Sequence, residues 1–291
     1  MLGRHRYLPQ LLVVVALLLG AGPAPAAAEP DCPRMVSQSP YITHTLRWLG
    51  LDHCIVGASR YDRGDWADTG GILDPDIAAI RALAPDLAIT SPWTDPDLWR
   101  TLEPEIARAM IVDGFGSMAG IADNLRRIAE AANLPDPDGI AADFDAQWRD
   151  AAAQVRGEHV RVLLLASCSG QPYAFGRGSW QHEVFTTAGF DVISAGDRVH
   201  HIPVTDRKDR LAALIDAERP DVLFVFASEN AEACRVINAS RRVPVVPLPG
   251  AFFHHAAPVI IEGLYRLRDL RDAWQPQDGN RFTSPEQDRP T

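Results

Sequence analysis

Two pairs of adjacent histidines, His200-His201 and His254-His255, are the side chains of this 291-residue chain best suited to hold a metal. Imidazole is a common ligand for borderline transition metals. Adjacent residues of an extended segment point to opposite faces, so one member of each pair can enter a cleft while the other faces away. Ligation through His200, His201, His254 and His255 is therefore one expectation, and cleft lining beside Phe252 and Phe253 is the broader one. A second group lies in the stretch from Arg60 to Trp66, where Arg60, Tyr61 and Trp66 combine cations with flat apolar rings. Such a set pairs with anionic groups and covers planar ones. Trp93, after Ser91-Pro92, occupies an equivalent place, as do Tyr41 and Ser228 at the ends of other apolar runs.

Tyr173, Phe175, Arg177 and Trp180 form a third group around Gly176-Arg177-Gly178. A glycine turn ahead of a helix can cradle phosphate, but the third glycine and the lysine of phosphate loops are missing. An aromatic cleft wall with Arg177 as an anion partner is the better expectation. Catalytic constellations are lacking: there is no Gly-x-Ser-x-Gly and no His-Glu-x-x-His. Ser167-Cys168-Ser169-Gly170 reads as a disulfide cysteine at a strand end rather than as a nucleophile turn. A binding protein is expected, not an enzyme.

These residues need elements to position them. Apolar runs alternate with helical patterns from Arg34 onward, which predicts parallel sheets covered on both faces. Strands are expected at 34–37, 54–57, 87–90 and 110–112, with helices at 42–50, 76–83, 95–108 and 117–133. Asp136 to Gly157 is then one helix, capped by Asp136, opened by Pro137 and closed by Gly157. Ile140, Phe144, Trp148, Ala151 and Val155 form its apolar stripe. After it the pattern restarts, with strands at 160–166, 191–193, 222–226 and 243–246. Helices are expected there at 179–189, 207–217, 229–240 and 256–274. The halves echo each other: Pro85-Asp86-Leu87 leads into a strand as Pro220-Asp221-Val222 does. The fold class expected is α/β, two similar lobes with parallel sheets joined by one long rigid helix. Ligands of such sheets sit outside the carboxyl ends of the strands.

Composition agrees with a packed, exported protein. Hydrophobic residues make up 46% and charged ones 23% of the chain. Arg4, His5 and Arg6, the apolar run Leu11 to Leu19, and Ala26-Ala27-Ala28 read as a signal peptide over residues 1–28. Without it the formal charge goes from −10 to −12, because Arg4 and Arg6 leave with no acids. An acidic exported chain is a poor partner for nucleic acid or an anionic membrane. Four cysteines in an oxidising compartment favour disulfides with three possible connectivities. Pairing within each half, Cys32–Cys54 and Cys168–Cys234, is the preferred one, with free thiols or a metal site as alternatives. The expected organisation is a first lobe at 29–135, the helix at 136–157, a second lobe at 158–274, and a polar disordered tail at 275–291.

The order of short motifs carries a resemblance over residues 34–272. Arg34-Met-Val-Ser-Gln-Ser-Pro40 with Ile42-Thr43, Leu49-Gly50, Ile55-Val56-Gly57, Gly70-Gly71-Ile-Leu-Asp-Pro-Asp76 and Leu83-Ala-Pro-Asp-Leu87 are similar to the periplasmic binding proteins of ABC importers for ferric siderophores, haem and cobalamin. The resemblance implies a periplasmic monomer with no covalent cofactor. Such a protein holds a metal chelate between its lobes and hands it to a membrane permease, with ferric siderophore the first expectation and cobalamin or haem close behind. It also implies that the loops bearing the histidine pairs approach the ligand. Many members dock on permease arginines through a glutamate in each lobe. The matching positions here are Ala78 and Ala213, and Asp74, Asp76, Asp209 and Asp216 stand near enough to substitute. That departure motivates a second reading, a stand-alone periplasmic metal or cofactor chaperone.

Overall fold

The computed structural model describes residues 32–274 apart from 169–170, 195, 203, 206–207 and 228–242. From Cys32 onward the chain packs as one compact unit. Its first part runs β1 (Met35–Ser37), α1 (Pro40–Trp48), β2 (Ile55–Ala58), β3 (Ala67–Asp68), α2 (Ile77–Ala82), β4 (Leu87–Thr90), α3 (Pro96–Arg100), β5 (Arg108–Ile111) and α4 (Met118–Ala131). The strands form a parallel sheet in the order β3-β2-β1-β4-β5. Met35, Val36, Ala88 and Ile89 are fully buried, as strands covered on both faces require. Cys32 and Cys54 are joined by a disulfide at the start of this unit. The other expected pair involves Cys234 and the side chain of Cys168, both outside what is described.

Helix α5 (Pro137–Val155) follows. Asp136 accepts a hydrogen bond from Gly139 N, and Pro137 sits in the first turn where a missing N–H costs nothing. The C-terminus differs from expectation. Arg156, not Gly157, takes the left-handed conformation, with φ at 58°. Gly157 is needed for a different reason: a Cβ there would lie 2.7 Å from the ring of Phe190. Its N–H donates to Ala188 O, drawing the helix end onto the end of α6 (Trp180–Thr187).

The second part contains β6 (Arg161–Cys168), β7 (Gln171–Phe175), α6 (Trp180–Thr187), β8 (Asp191–Val192), β9 (Val199–His201), the hairpin β10 (Val204–Thr205) and β11 (Lys208–Asp209), α7 (Arg210–Glu218), β12 (Val222–Ala227), β13 (Val245–Pro249), α8 (Gly250–Phe253), α9 (Ile260–Asp269) and α10 (Arg271–Trp274). Strand order is β13-β12-β6-β7-β9, with β8 beside the first residues of β6. This sheet is mixed rather than wholly parallel: β7 and β9 run antiparallel to their neighbours. β7 pairs antiparallel with β6 and begins only two residues after it, so no crossover helix intervenes.

Two helices are shorter than their periodicity suggests. The stretch from Asp95 is helical only to Arg100, since Pro104 cannot donate to a helical ladder and constrains Glu103 before it. The closing stretch, expected as one helix over 256–274, starts only at Ile260 and breaks into α9 and α10. Pro258 again marks an interruption, placing His254 and His255 in a turn between helices.

The largest core runs continuously from Met118, Ile121 and Leu125 of α4, through Phe144, Trp148, Ala151, Ala152 and Val155 of α5, to Val162, Leu164 and Phe224 of the second sheet. Trp148 is fully buried and its Nε1 donates to Asp145. The helix thus packs on both sides instead of reaching a ligand. Substituting Gly157→Ala should cost about 1–3 kcal/mol by overpacking against Phe190. Arg156→Gly should instead stabilise the chain by about 0.5–1 kcal/mol by relieving a left-handed non-glycine residue. Urea denaturation of both variants checks this, and equal effects of the same sign would refute the assignment of roles.

Candidate functional site

The carboxyl ends of β1, β2, β4 and β5 bring loops from the first sheet together with the turn after β13. A cavity of about 610 Å³ opens there, lined by Pro40, Thr43, His44 and Arg47 of α1, by Tyr61, Asp62 and Arg63, and by Gly250, Ala251, His254 and His255. Both parts of the chain contribute. A buried polar network sets the first-sheet loops. Gln38 donates to Thr69 O and Gly71 O and accepts from Thr69 Oγ1, which pins the Gly70-Gly71 turn. Ser37 Oγ lies 2.7 Å from Thr43 Oγ1, tying the start of α1 to β1.

An aromatic cluster lies beside the cavity, joined to its lining where Tyr41 meets His255. Trp93 stacks on Phe115 at 5.3 Å, and Tyr41 contacts both rings. Trp93 remains 48% exposed. His255 meets Tyr41 edge-on at 5.0 Å and lies 5.0 Å from His44. These contacts cross from one sheet's loops to the other's.

The imidazoles are held neutral. Burial lowers the His255 pKa to about 4, helped by His44 and His254. Burial also lowers that of His44, with the Arg47 charge adding to it. For His254 burial outweighs an opposing hydrogen bond that the ring donates to the Phe226 backbone. Asp62 moves the other way: burial raises its pKa, against hydrogen bonds from Ser59 and Thr43 and the charge of Arg47. A neutral imidazole keeps a lone pair, the form that binds a metal or accepts a hydrogen bond.

The other expected residues separate into groups. Tyr61 lines the cavity and is 59% exposed. Arg60 turns away and pairs with Asp74 at 3.3 Å. Trp66 packs on the first core with Arg47 over its ring at 5.1 Å, so it braces α1. Phe175, Trp180 and Phe253 are core residues: Phe253 is fully buried and stacks on Phe226. They leave the site because Phe175 points inward from β7 and α6 and α8 turn Trp180 and Phe253 onto the sheet. Tyr173 is half-buried and packs beside His201 at 5.7 Å. His200 and His201 lie exposed on edge strand β9, and Arg177 is exposed beside them. Among the described residues, the four histidines do not bring ligand atoms together; the cluster that does is Cys32, His53 and Cys54, whose sulfurs form the disulfide. Ser228 lies outside the described residues.

Sequence reasoning missed His44, Arg47, Asp62 and Phe115. His44 had one usable signal, its place a single turn into the helix that leaves β1. On the outer surface, Ala78 and Ala213 are exposed on α2 and α7. Asp76 caps α2 by accepting from Ala79 N, Asp216 is exposed on α7, and the side chain of Asp209 is not described. Among the described residues, no helix is long and apolar enough to cross a membrane.

No family model matches the chain. It is 26% identical over 242 residues to the vitamin B12-binding protein of Salmonella typhimurium, covering 79% of this chain and 86% of that one. Among solved structures it resembles the periplasmic vitamin B12 binding protein BtuF of Vibrio cholerae, with TM-score 0.63 and 21% identity over 84% of this chain and 99% of that one. It also resembles the apo periplasmic haem-binding protein RhuT from Roseiflexus, with TM-score 0.65 and 19% identity over 83% and 99%. The siderophore binding protein BauB matches with TM-score 0.60 and 16% identity over 82% and 94%. These relatives are binding proteins, not enzymes.

The lowered histidines predict a pH dependence. Between about pH 6.5 and about 4 the unfolded chain protonates His255 while the folded chain does not. The unfolded state then binds more protons, so stability rises with pH across that window and is lost as the pH falls. His44 and His254 act in the same direction. The thermal midpoint should drop on acidification from pH 7 to 4.5, and His255→Gln should make that drop shallower. A variant with the wild-type slope would contradict the assigned burial of His255.

Proposed function

We propose that this chain is a periplasmic solute-binding protein of an ABC importer and that it captures an anionic metal chelate of the ferric siderophore class between its two sheets, a reading supported by its vitamin B12-, haem- and siderophore-binding relatives. The observation that carries the choice is the cavity lining. Arg47 and Arg63 offer positive charge, and His44, His254 and His255 offer neutral nitrogen donors. An anionic ligand rich in oxygen donors answers that set, since guanidinium pairs with carboxylate-like groups through charge-assisted hydrogen bonds. Capture would involve small hinge motion. Helix α5 shares one core with α4 and the second sheet, and Glu183 of α6 accepts a hydrogen bond from Met118 N of α4 at 2.9 Å. Delivery to a permease would use the outer acids Asp74, Asp76 and Asp216 in place of residues at Ala78 and Ala213.

A corrinoid is the second reading. It is favoured by the vitamin B12-binding relatives and by the Tyr41, Trp93 and Phe115 cluster beside the cavity, which suits a macrocycle edge.

Tryptophan quenching on titration with ferric catecholate, hydroxamate and citrate complexes, haemin and cyanocobalamin separates these. A ferric chelate should bind at about 1 μM or tighter, roughly −8 kcal/mol. Arg63→Gln should weaken it about tenfold and leave cyanocobalamin unaffected. Binding of cyanocobalamin alone would replace the siderophore reading with the corrinoid one. No ligand tighter than about 0.1 mM, roughly −5.5 kcal/mol, would defeat capture altogether.

A further inference from the structure

The far end of the first sheet carries a group of metal-ligating side chains that capture in the cavity leaves unused. Cys32 lies just ahead of β1 and Cys54 just ahead of β2, and these strands are neighbours, with Met35 paired to Ile55. Both cysteines therefore stand at the amino ends of parallel strands, whereas the cavity opens at the carboxyl ends. A single 3₁₀ turn over Asp52–Cys54 sets His53 next to Cys54, and Cys54 N donates to Leu51 O within it. Nε2 of His53 lies 3.6 Å from Sγ of Cys32. The three candidate ligand atoms of Cys32, His53 and Cys54 all lie within 4.8 Å of one another. Cys54 is buried in the first core with Met35, Leu51 and Ile55, Cys32 packs half-buried against it, and His53 is exposed.

The spacing fits a tetrahedral ion. With Zn–S bonds of about 2.3 Å and Zn–N bonds of about 2.0–2.1 Å, a sulfur and a nitrogen ligand stand roughly 3.5–3.6 Å apart, and two sulfurs roughly 3.8 Å apart. The separation of Cys32 Sγ from His53 Nε2 already has the first value. The second needs only that the bond between the sulfurs be opened, since a change of side-chain rotamer then parts sulfurs whose Cα atoms are 6.1 Å apart. Two thiolates and an imidazole are donors of the softness that zinc takes. Three protein ligands leave the fourth position of the tetrahedron to water. The pairing of β1 with β2 and the core around Cys54 hold the set in place before any ion arrives.

We infer that Cys32, His53 and Cys54 form a zinc site that is available only when the two cysteines are reduced. It does not depend on what the cavity captures. A dithiol opens the site. One of its thiolates attacks Sγ of Cys32, the more accessible sulfur, which forms a mixed disulfide and releases Cys54 as a thiolate. The second thiol of the dithiol attacks its own bonded sulfur, closing the reductant's disulfide and releasing Cys32 as a thiolate. Two electrons thus pass from the dithiol to the cysteine pair. Zn(II) then bonds both thiolates and His53, and the two protons of the dithiol pass to solvent. The ion ties together the same two segments, 22 residues apart in sequence, that the disulfide ties in the oxidised chain. Zinc therefore replaces the lost cross-link and stabilises the reduced chain.

The test uses tag-free protein carrying Cys168→Ser and Cys234→Ser, which leaves Cys32 and Cys54 as its cysteines. It is reduced with tris(2-carboxyethyl)phosphine and titrated with Zn(II) against a chromophoric chelator. One zinc per chain is expected at about 1 μM or tighter in the reduced form, and binding about a hundredfold weaker or more in the oxidised form. Co(II) in place of zinc should give a thiolate-to-metal charge-transfer band and the intense visible bands of a tetrahedral site. Zinc should also restore most of the thermal midpoint that reduction removes. His53→Ala, at an exposed position, should weaken zinc about tenfold or more and leave the melting of the oxidised chain unchanged. Equal zinc affinity of the oxidised and reduced forms overturns the dependence on reduction. Reduced protein that binds zinc more weakly than about 0.1 mM, or a weakly coloured octahedral Co(II) complex without the charge-transfer band, overturns the site. Wild-type affinity in His53→Ala overturns the imidazole's part. Should the double variant not fold, the fully reduced wild type is titrated beside Cys32→Ser. Loss of one zinc equivalent at about 1 μM is then expected, and unchanged stoichiometry defeats the assignment.

Discussion

Everything in this molecule depends on how α5 packs. Phe144 and Trp148 are fully buried, and Ala151, Ala152 and Val155 complete the stripe. Each large side chain taken from water contributes about 1.5–3 kcal/mol, so the stripe is a major share of what holds the parts together. Its partners are unlike: α4 on one side and the second sheet with α9 on the other. The polar edge is tied off locally, with Asp145 accepting from Trp148 Nε1 and pairing with Arg149. A helix buried so continuously cannot slide or bend without opening a core, and the loops it carries into the cleft inherit that rigidity.

Rigidity explains the site's electrostatics. Loops from the two sheets meet closely enough that Tyr41, His44 and His255 touch and lose water. Desolvation then outweighs every other influence on the histidines and on Asp62. The imidazoles, the Asp62 carboxyl whose pKa burial raises, and the guanidiniums of Arg47 and Arg63 line one cavity.

The same packing removes residues that looked functional in one dimension. Phe175, Trp180 and Phe253 have the composition of a binding wall, yet each lies in the largest core. Aromatic side chains serve both purposes, and only the direction of the chain at each position decides which. Trp66 is a similar case, since the cation above its ring is Arg47 of its own lobe rather than a ligand.

The sequence by itself determined the α/β class, the alternation of elements, the central helix with its Asp136 cap and the Cys32–Cys54 proximity. All of these follow from local chemistry: apolar periodicity, a capping side chain, proline at a first turn, and cysteines flanking adjacent segments. The break of α3 at Pro104 and the foldback of β7 onto β6 were also written locally, but in signals weaker than the periodicity that masked them. Tertiary structure alone decided the site. His44 and His255 are separated by most of the chain, and no spacing rule relates them. They meet because two sheets packed on one helix aim their loops at a shared volume. Burial then sets their protonation, which no reading of residue types supplies.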